Sequence, residues 1–254
     1  MTTLIIDGDV LLYMSIWGND TLEEAQDTFK EIFVDIQTAT FSSDYVMALG
    51  GPDNFRNDLY SEYKASKSRI KSKSNRPEWF IDLKSWVVET MEGAVLSENC
   101  EADDMVRIWH LELDAVGKPY CVVTVDKDLD CCYGSHYNPR TKQIYHITKE
   151  YAMRFYYKQL LMGDSVDNIP GIRGIGPKKA DKILEGIQGK LQLKQAVCCA
   201  YQEAYGDSGF DHMLLNGKLL HIWRKINDHF TLGKEVYQTA IEGRDWALDN
   251  KGQV

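Results

Sequence analysis

"MGDSVDNIPGIRGIGPKKADKIL", residues 162–184, joins two opposed kinds of chemistry in one short stretch. Asp164 and Asp167 stand three apart just before a glycine-punctuated turn, and Lys178 and Lys179 follow it. Carboxylates repel anions, whereas lysines and open backbone amides attract them. The second half reads as a helix-hairpin-helix element. Gly174 and Gly176 permit positive φ and close backbone approach. Pro177 suits the first turn of the next helix, whose start presents free N–H groups to an anion. Ala180, Ile183 and Leu184 supply that helix's packing face. Such an element contacts phosphates and positions a duplex without reading its bases. A plain corner with solvated lysines is the alternative, but two glycines and two lysines around one helix start serve no evident packing purpose.

Working outward, the first half alternates short apolar runs with amphipathic segments. Leu4–Ile6, Tyr45–Leu49, Ala94–Leu96 and Cys121–Val125 are short enough for buried parallel strands. Leu22–Ala39, Trp79–Glu92 and Ala102–Ala115 carry helical periodicity, so the order predicts an α/β domain with a mostly parallel sheet. "YNPRTKQIYHI", residues 137–147, reads as a hairpin. From Thr148 the pattern turns helical to about residue 230. The expected division is residues 1–148 as the core, with a basic excursion at about 60–92, and 149–254 as a helical region.

With 254 residues the chain can bury a substantial core. No apolar run approaches the roughly 20 residues that span a bilayer. "TTLIIDGD" opens without a basic region, long apolar stretch or cleavage site, so no secretion signal is expected. Six cysteines include two adjacent pairs and no C-x-x-C, which fits reduced thiols in an intracellular protein better than a disulfide framework. The net charge of −9 is a weak guide to partners, because the charge is segregated. "KASKSRIKSKSNR", Lys64–Arg76, holds six basic residues and no acid. A charge run is commonly a solvated face. Lying after Asp53 and before the third apolar run, this one also suits a cover over an acidic site. Tyr63 just before it suits stacking on an exposed base, or a place in the core.

The acids fall where an open α/β sheet places ligands, beyond the carboxyl ends of its strands. Asp7 follows Leu4–Ile6, Asp53 follows "YVMALGGP", and Asp126 and Asp128 follow "CVVTV". Spaced by two, Asp126 and Asp128 would point the same way from an extended backbone. In "ENCEADDM", Glu101, Asp103 and Asp104 stand at a helix start, where Glu101 and Asp104 can share a face, as can Asp164 and Asp167. Each alone is commonly a cap or turn residue. Four such places together are a pattern. Converging carboxylates need compensating cations, and oxygen donors select hard divalent ions, Mg²⁺ or Mn²⁺.

"IDGD", "PDNFRNDLYSEYKASKSR", "ENCEADDM", "TVDKDLD" and "MGDSVDNIPGIRGIGPKKADKIL" lie in one order across residues 4 to about 186. With them the chain resembles the flap endonuclease and 5′-nuclease family, most closely the phage-type 5′→3′ exonucleases. The resemblance implies a PIN-like parallel-sheet core, an arch, and a helical region with a helix-three-turn-helix that grips DNA. It implies metal-dependent phosphodiester hydrolysis at or near a 5′ end, by two Mg²⁺ or Mn²⁺ ions. Asp7, Asp53, Glu101 and Asp103 would surround one ion, and Asp126, Asp128, Asp164 and Asp167 the other, with Asp104 between or behind. Lys64 falls on the arch lysine. Lys67 meets the second arch base, with Arg69 two further on. Tyr63, Arg69, Lys71, Lys73, Arg76, Gly171, Gly174, Gly176, Lys178 and Lys179 would contact DNA, and K⁺ would sit at the turn. The implied partner is DNA with a duplex and a free 5′ end, or an RNA–DNA hybrid; no membrane is implied and no replication protein is identified. The implied place of action is the bacterial host cytoplasm.

Two rival readings remain at this level. "LIIDGDV" and "GDSVDN" also fit a haloacid-dehalogenase-type phosphatase, with Asp7 as nucleophile and Asp9 as acid. That fold needs its glycine–aspartate pair after a strand, whereas "YYKQLLM" reads as helical. A non-catalytic DNA-binding module is the other, disfavoured because so many carboxylates weaken binding to a polyanion.

Overall fold

The apolar runs of the first half become a six-stranded sheet. The computed structural model describes residues 2–249. In chain order the elements are β1 (Thr3–Asp7), α1 (Gly8–Ser15), α2 (Leu22–Thr40), β2 (Asp44–Leu49), α3 (Phe55–Leu59), α4 (Lys67–Ser74), α5 (Phe80–Thr90), β3 (Ala94–Leu96), α6 (Ala102–Ala115), β4 (Tyr120–Val123), β5 (Gly134–Asn138), β6 (Gln143–Ile147), α7 (Lys149–Met162), α8 (Pro177–Leu184), α9 (Lys190–Tyr205), α10 (Gly209–Leu220) and α11 (Lys234–Asp249). Two compact units result. The first takes the chain up to Phe55, Ile70–Lys149 and Ile222–Asp228; the second takes Arg56–Arg69, Glu150–His221 and the chain from His229.

In the first unit the sheet order is β3-β2-β1-β4-β5-β6, parallel except for the β5–β6 hairpin. All five residues of β1 are buried, as expected of a central parallel strand covered on both faces. Leu4 and Ile6, Met47 and Leu49, and Cys121 and Val123 alternate onto one face, where α1, α2 and α5 bring Leu11, Leu12, Phe29, Phe33, Leu83 and Val87. Each such side chain contributes about 1.5–3 kcal/mol on burial. Helix α2 shows why these segments start and stop where they do. Thr21 accepts from the Glu24 N–H at 3.3 Å, the Thr21 N–H donates to Glu24 at 3.1 Å, and Phe41 ends the helix in the left-handed region. Beyond the sheet, Phe55 stacks on Trp223 at 5.1 Å beside Cys100 and Ile108, so "HIWRKIND" is partly core.

Strand β4 ends at Val123, two residues before the expected boundary, because Thr124 turns its side chain back to the sheet end. The connection to β5 is a 3₁₀ turn, Lys127–Cys131, in place of a crossover helix. All six cysteines are buried and none is in a disulfide, and among the described residues no helix is long and apolar enough to cross a membrane.

His110 on α6 gives this unit an acid-sensitive core. It is 1% exposed, its Nε2 lies 3.1 Å from the Tyr120 hydroxyl, and Tyr120 and Tyr133 meet its ring edge-on. Burial, with Arg107 adding to it, lowers its pKa to about 4. The unfolded chain takes up a proton near the ordinary value of about 6.5 and the folded chain does not, so stability falls as pH drops from about 6.5 toward 4. His136, lowered chiefly by burial, adds in the same direction. Lowering pH from 7 to 5 is expected to cost the wild type about 1–2 kcal/mol more than His110→Phe in urea unfolding. Equal losses in the two proteins would remove His110 from the account.

The second unit packs α7–α11 around Leu160, Leu161, Leu184, Val197, Tyr201 and Tyr237. The helical pattern stops at Leu220 and resumes at Lys234, so it is not continuous to residue 230. Buried Arg56 donates to the carbonyls of Leu219 (2.9 Å) and His221 (2.7 Å), satisfying the otherwise open end of α10.

Candidate active site

In the first unit Asp7, Asp9 and Asp126 lie together at the point where the strand order reverses. β1 lies between β2 and β4, and open α/β sheets form their crevice beyond the strand ends at such a switch point. Asp7, the last residue of β1, is 3% exposed. Thr124, one past β4, donates to Asp7 Oδ2 at 3.0 Å and accepts the Asp126 N–H at 2.9 Å. A single hydroxyl therefore ties the two strand ends and their acids together. Burial lifts the Asp7 carboxyl to a pKa of about 7, and the charges of Asp9 and Asp126 add to it.

Asp126 and Asp128 do not share the extended backbone expected of them. Asp126 caps the 3₁₀ turn and its Oδ1 accepts the Asp128 N–H at 2.9 Å. Glu101 precedes α6 and accepts from Asn54 Nδ2 at 2.8 Å, while Asp53 is exposed on the same loop as Asn54. Asp103 is half-buried in the first turn of α6. Asp104 is fully buried, its Oδ2 accepting the Glu101 N–H at 2.9 Å and its Oδ1 the Trp223 N–H at 2.8 Å. With both oxygens accepting backbone amides, Asp104 anchors the start of α6 to the chain at Trp223.

In the second unit, Asp164 and Asp167 share a turn, and no helix face is involved. Asp164 Oδ1 accepts the N–H groups of Val166 (2.7 Å) and Asp167 (3.3 Å), and Asp164 bridges to Ile169. Asp167 is buried and held by bases from the 56–69 segment. Arg69 donates to its Oδ1 from Nε at 3.0 Å and Nη2 at 2.6 Å, and Lys64 Nζ lies 3.6 Å from Oδ2. Tyr63 is also buried, its hydroxyl 3.5 Å from Asp167 Oδ2, so its ring belongs to the core and does not offer a stacking surface. Of the two bases considered for the second arch position, Arg69 reaches an acid of this unit, and Lys67 is exposed at the start of α4.

Lys71 and Lys73 are exposed on α4, whereas Arg76 lies over the rings of Phe80 (4.5 Å) and Tyr13 (5.1 Å) and serves packing in the first unit. At the glycine turn, Gly171 and Gly174 take positive φ, but Gly176 does not (φ −102°). A Cβ at Gly174 or Gly176 would meet nothing within 4 Å, so that surface stays open. Lys179 Nζ donates to the Gly174 carbonyl at 2.8 Å and Lys178 is exposed beside it. Gly163 and Asp164 follow the helix α7, so the strand-borne pattern of the dehalogenase-type phosphatase is not met.

Sequence reading missed Lys84, Ser97 and Thr124, and gave Asp9 a role only in the phosphatase alternative. Asp9 was visible as the second acid of "DGD". Lys84 carried no signal, since a lysine on an amphipathic helix reads as solvated.

No family model matches the chain. It is 32% identical over 166 residues to DNA polymerase I of Pseudomonas aeruginosa, covering 58% of this chain and 17% of that one. It is 31% identical over 149 residues to the flap endonuclease Xni of Shewanella piezotolerans, 54% of this chain and 56% of that one. The chain thus spans about half of that relative's length, and far less of the polymerase's. Among solved structures, the bacteriophage T5 flap endonuclease in complex with DNA and metal ions matches with a TM-score of 0.66 at 17% identity, over 98% of this chain and 100% of that one. The fold is therefore the PIN-like one of that enzyme. In sequence and in fold the chain resembles the 5′-nucleases, a group that includes flap endonucleases and 5′–3′ exonucleases.

Proposed function

We propose that this chain is a divalent-metal-dependent 5′-nuclease hydrolysing phosphodiester bonds in DNA that carries a duplex and a free 5′ end, with RNA in hybrids as a further substrate. The observation that carries the reading is Asp7, a carboxylate buried at the end of β1 and tied through Thr124 to Asp126, with the charge of Asp9 close by. Such a group is costly to ionise without a cation, and the surrounding donors are oxygens, the set that hard divalent ions prefer. Mg²⁺ is the proposed ion, with Mn²⁺ as its substitute.

The proposed ligands are Asp7, Asp53, Glu101, Asp103, Asp126 and Asp128 of the first unit, with Asp104 between or behind, and Asp164 and Asp167 of the second. When bound, two such ions would lower the pKa of water and offset charge on the leaving 3′ oxygen. Thr124 holds Asp7 and Asp126 in register. Lys64, with Lys67 or Arg69, would stabilise charge developing on the phosphate. The turn at Gly171–Gly176, with Lys178, Lys179 and K⁺, would hold duplex phosphates, and the exposed Lys71 and Lys73 the free strand. The setting would be the cytoplasm of a bacterial host.

The test is product analysis on 5′-labelled flap, nicked and blunt duplexes with and without Mg²⁺. Release of short 5′ products only with the ion is expected. Binding without cleavage under both Mg²⁺ and Mn²⁺ would favour a scaffold. Lys178→Ala/Lys179→Ala should weaken duplex binding and make the salt dependence shallower by roughly two charges. Unaltered affinity and slope would remove the turn from the interface.

A further inference from the structure

The loop "GGPDN", residues 50–54, leaves β2 carrying Asp53, and its path is fixed by groups that the proposed chemistry does not use. The Gly50 N–H donates to Asp9 Oδ2 at 3.1 Å, and the Gly50 carbonyl accepts from Lys84 Nζ. Lys84 Nζ also lies 3.6 Å from Asp9 Oδ1, closing a triangle between α1, α5 and the loop. Both charges are largely shielded, with Lys84 19% and Asp9 35% exposed. One residue on, the Gly51 N–H donates to Ser97 Oγ at 2.9 Å, and Ser97 Oγ in turn donates to the Cys100 carbonyl at 2.8 Å. Past Asp53, Asn54 donates to Glu101.

Sterics agree with the hydrogen bonds. A Cβ at Gly50 would stand 2.7 Å from Asp9 Oδ2, and one at Gly51 only 1.9 Å from the Ser97 carbonyl oxygen. Gly51 has no room for a side chain against the Ser97 backbone, whereas a Cβ at Gly50 would have to push the Asp9 carboxylate aside. Held on both sides of Asp53, the loop has little freedom to place that carboxylate elsewhere.

We propose that Lys84 and Asp9 are positioning residues that clamp the Gly50 peptide groups and thereby fix where Asp53 presents its carboxylate to a divalent ion. This rests on the metal-dependent reading above. Lys84 acts through the loop and not on the substrate. The proposal has a sign that a simple charge effect lacks. Removing a cation from an acidic site strengthens its attraction for Mn²⁺, whereas releasing the loop weakens the site.

The experiment is Mn²⁺ binding to the full chain without DNA, followed by paramagnetic resonance of the free ion, for wild type, Lys84→Met, Lys84→Arg and Gly50→Ala. Lys84→Met is expected to weaken Mn²⁺ by about tenfold, the size typical of groups that orient metal ligands, with Lys84→Arg recovering most of it. Gly50→Ala, which displaces Asp9 but keeps every charge, should weaken Mn²⁺ as well. Equal or tighter binding by a folded Lys84→Met would overturn the proposal, as would wild-type affinity in Gly50→Ala if Lys84→Met does not fold. A wild type that binds no Mn²⁺ would instead overturn the metal-dependent reading on which the proposal stands.

Discussion

Asp126→Asn is expected to lower single-turnover cleavage by about three orders of magnitude while leaving DNA affinity equal or higher. Asparagine keeps the Oδ1 acceptor for the Asp128 N–H, and the Asp126 N–H still reaches Thr124, so the 3₁₀ turn is preserved. Only a negative charge is lost. A divalent ion held by one fewer anionic oxygen gives up several kcal/mol of transition-state stabilisation, and each 1.36 kcal/mol is a factor of about ten. Duplex binding moves the other way, because a carboxylate facing a polyanion has been removed. The variant also withdraws one of the charges that raise the Asp7 pKa, so that carboxyl should titrate closer to its ordinary range. Rapid-quench cleavage and fluorescence anisotropy on the same labelled duplex measure both effects. Wild-type cleavage by Asp126→Asn would exclude Asp126 as a ligand.

The parts of this site that were legible in the sequence are those set by local rules. Leu4–Ile6 is a strand because both its faces are buried, and Asp7 stands at its end by position alone. Capping by Thr21 and Glu24, and Pro177 at the start of α8, are likewise local. Spacing failed where side chains compete with regular backbone. Asp126 and Asp164 each draw a following N–H onto their own oxygen, so neither the strand period nor the helix period applied to them. Long-range partners left no trace. Nothing in "EADDM" announces that Asp104 accepts the Trp223 N–H 119 residues later, and nothing in "DLKSW" marks Lys84 as the donor to Gly50. Tyr63 precedes a basic run, where the sequence left base stacking and a core place both open, and it is in the core of the second unit.

Gly171→Ala carries the largest expected loss of stability, about 3–5 kcal/mol in the unfolding of the second unit. Gly171 sits at φ +59°, which alone costs alanine about 1–2 kcal/mol. The larger part comes from two chain segments that cross with no side chain between them. A Cβ at Gly171 would fall 2.3 Å from the Gly163 nitrogen and 2.4 Å from the Met162 carbonyl carbon, both backbone atoms that cannot swing aside. Moving them breaks the Ile172 N–H to Leu161 carbonyl bond (2.8 Å) and the Gly163 N–H to Gln159 carbonyl bond (2.7 Å), and it lifts Ile169 and Ile172 from the core. The other two glycines of the turn provide the controls. Gly174 also has positive φ (+79°) but open space around it, so Gly174→Ala should cost only the backbone part. Gly176 has neither constraint, and Gly176→Ala should unfold at the wild-type urea concentration. If Gly176→Ala nevertheless loses duplex affinity, the turn's bare outer face serves a phosphate and not the fold. Urea midpoints for the three variants give the order directly, and a Gly171→Ala protein as stable as Gly176→Ala would refute the crossing as the constraint on this turn.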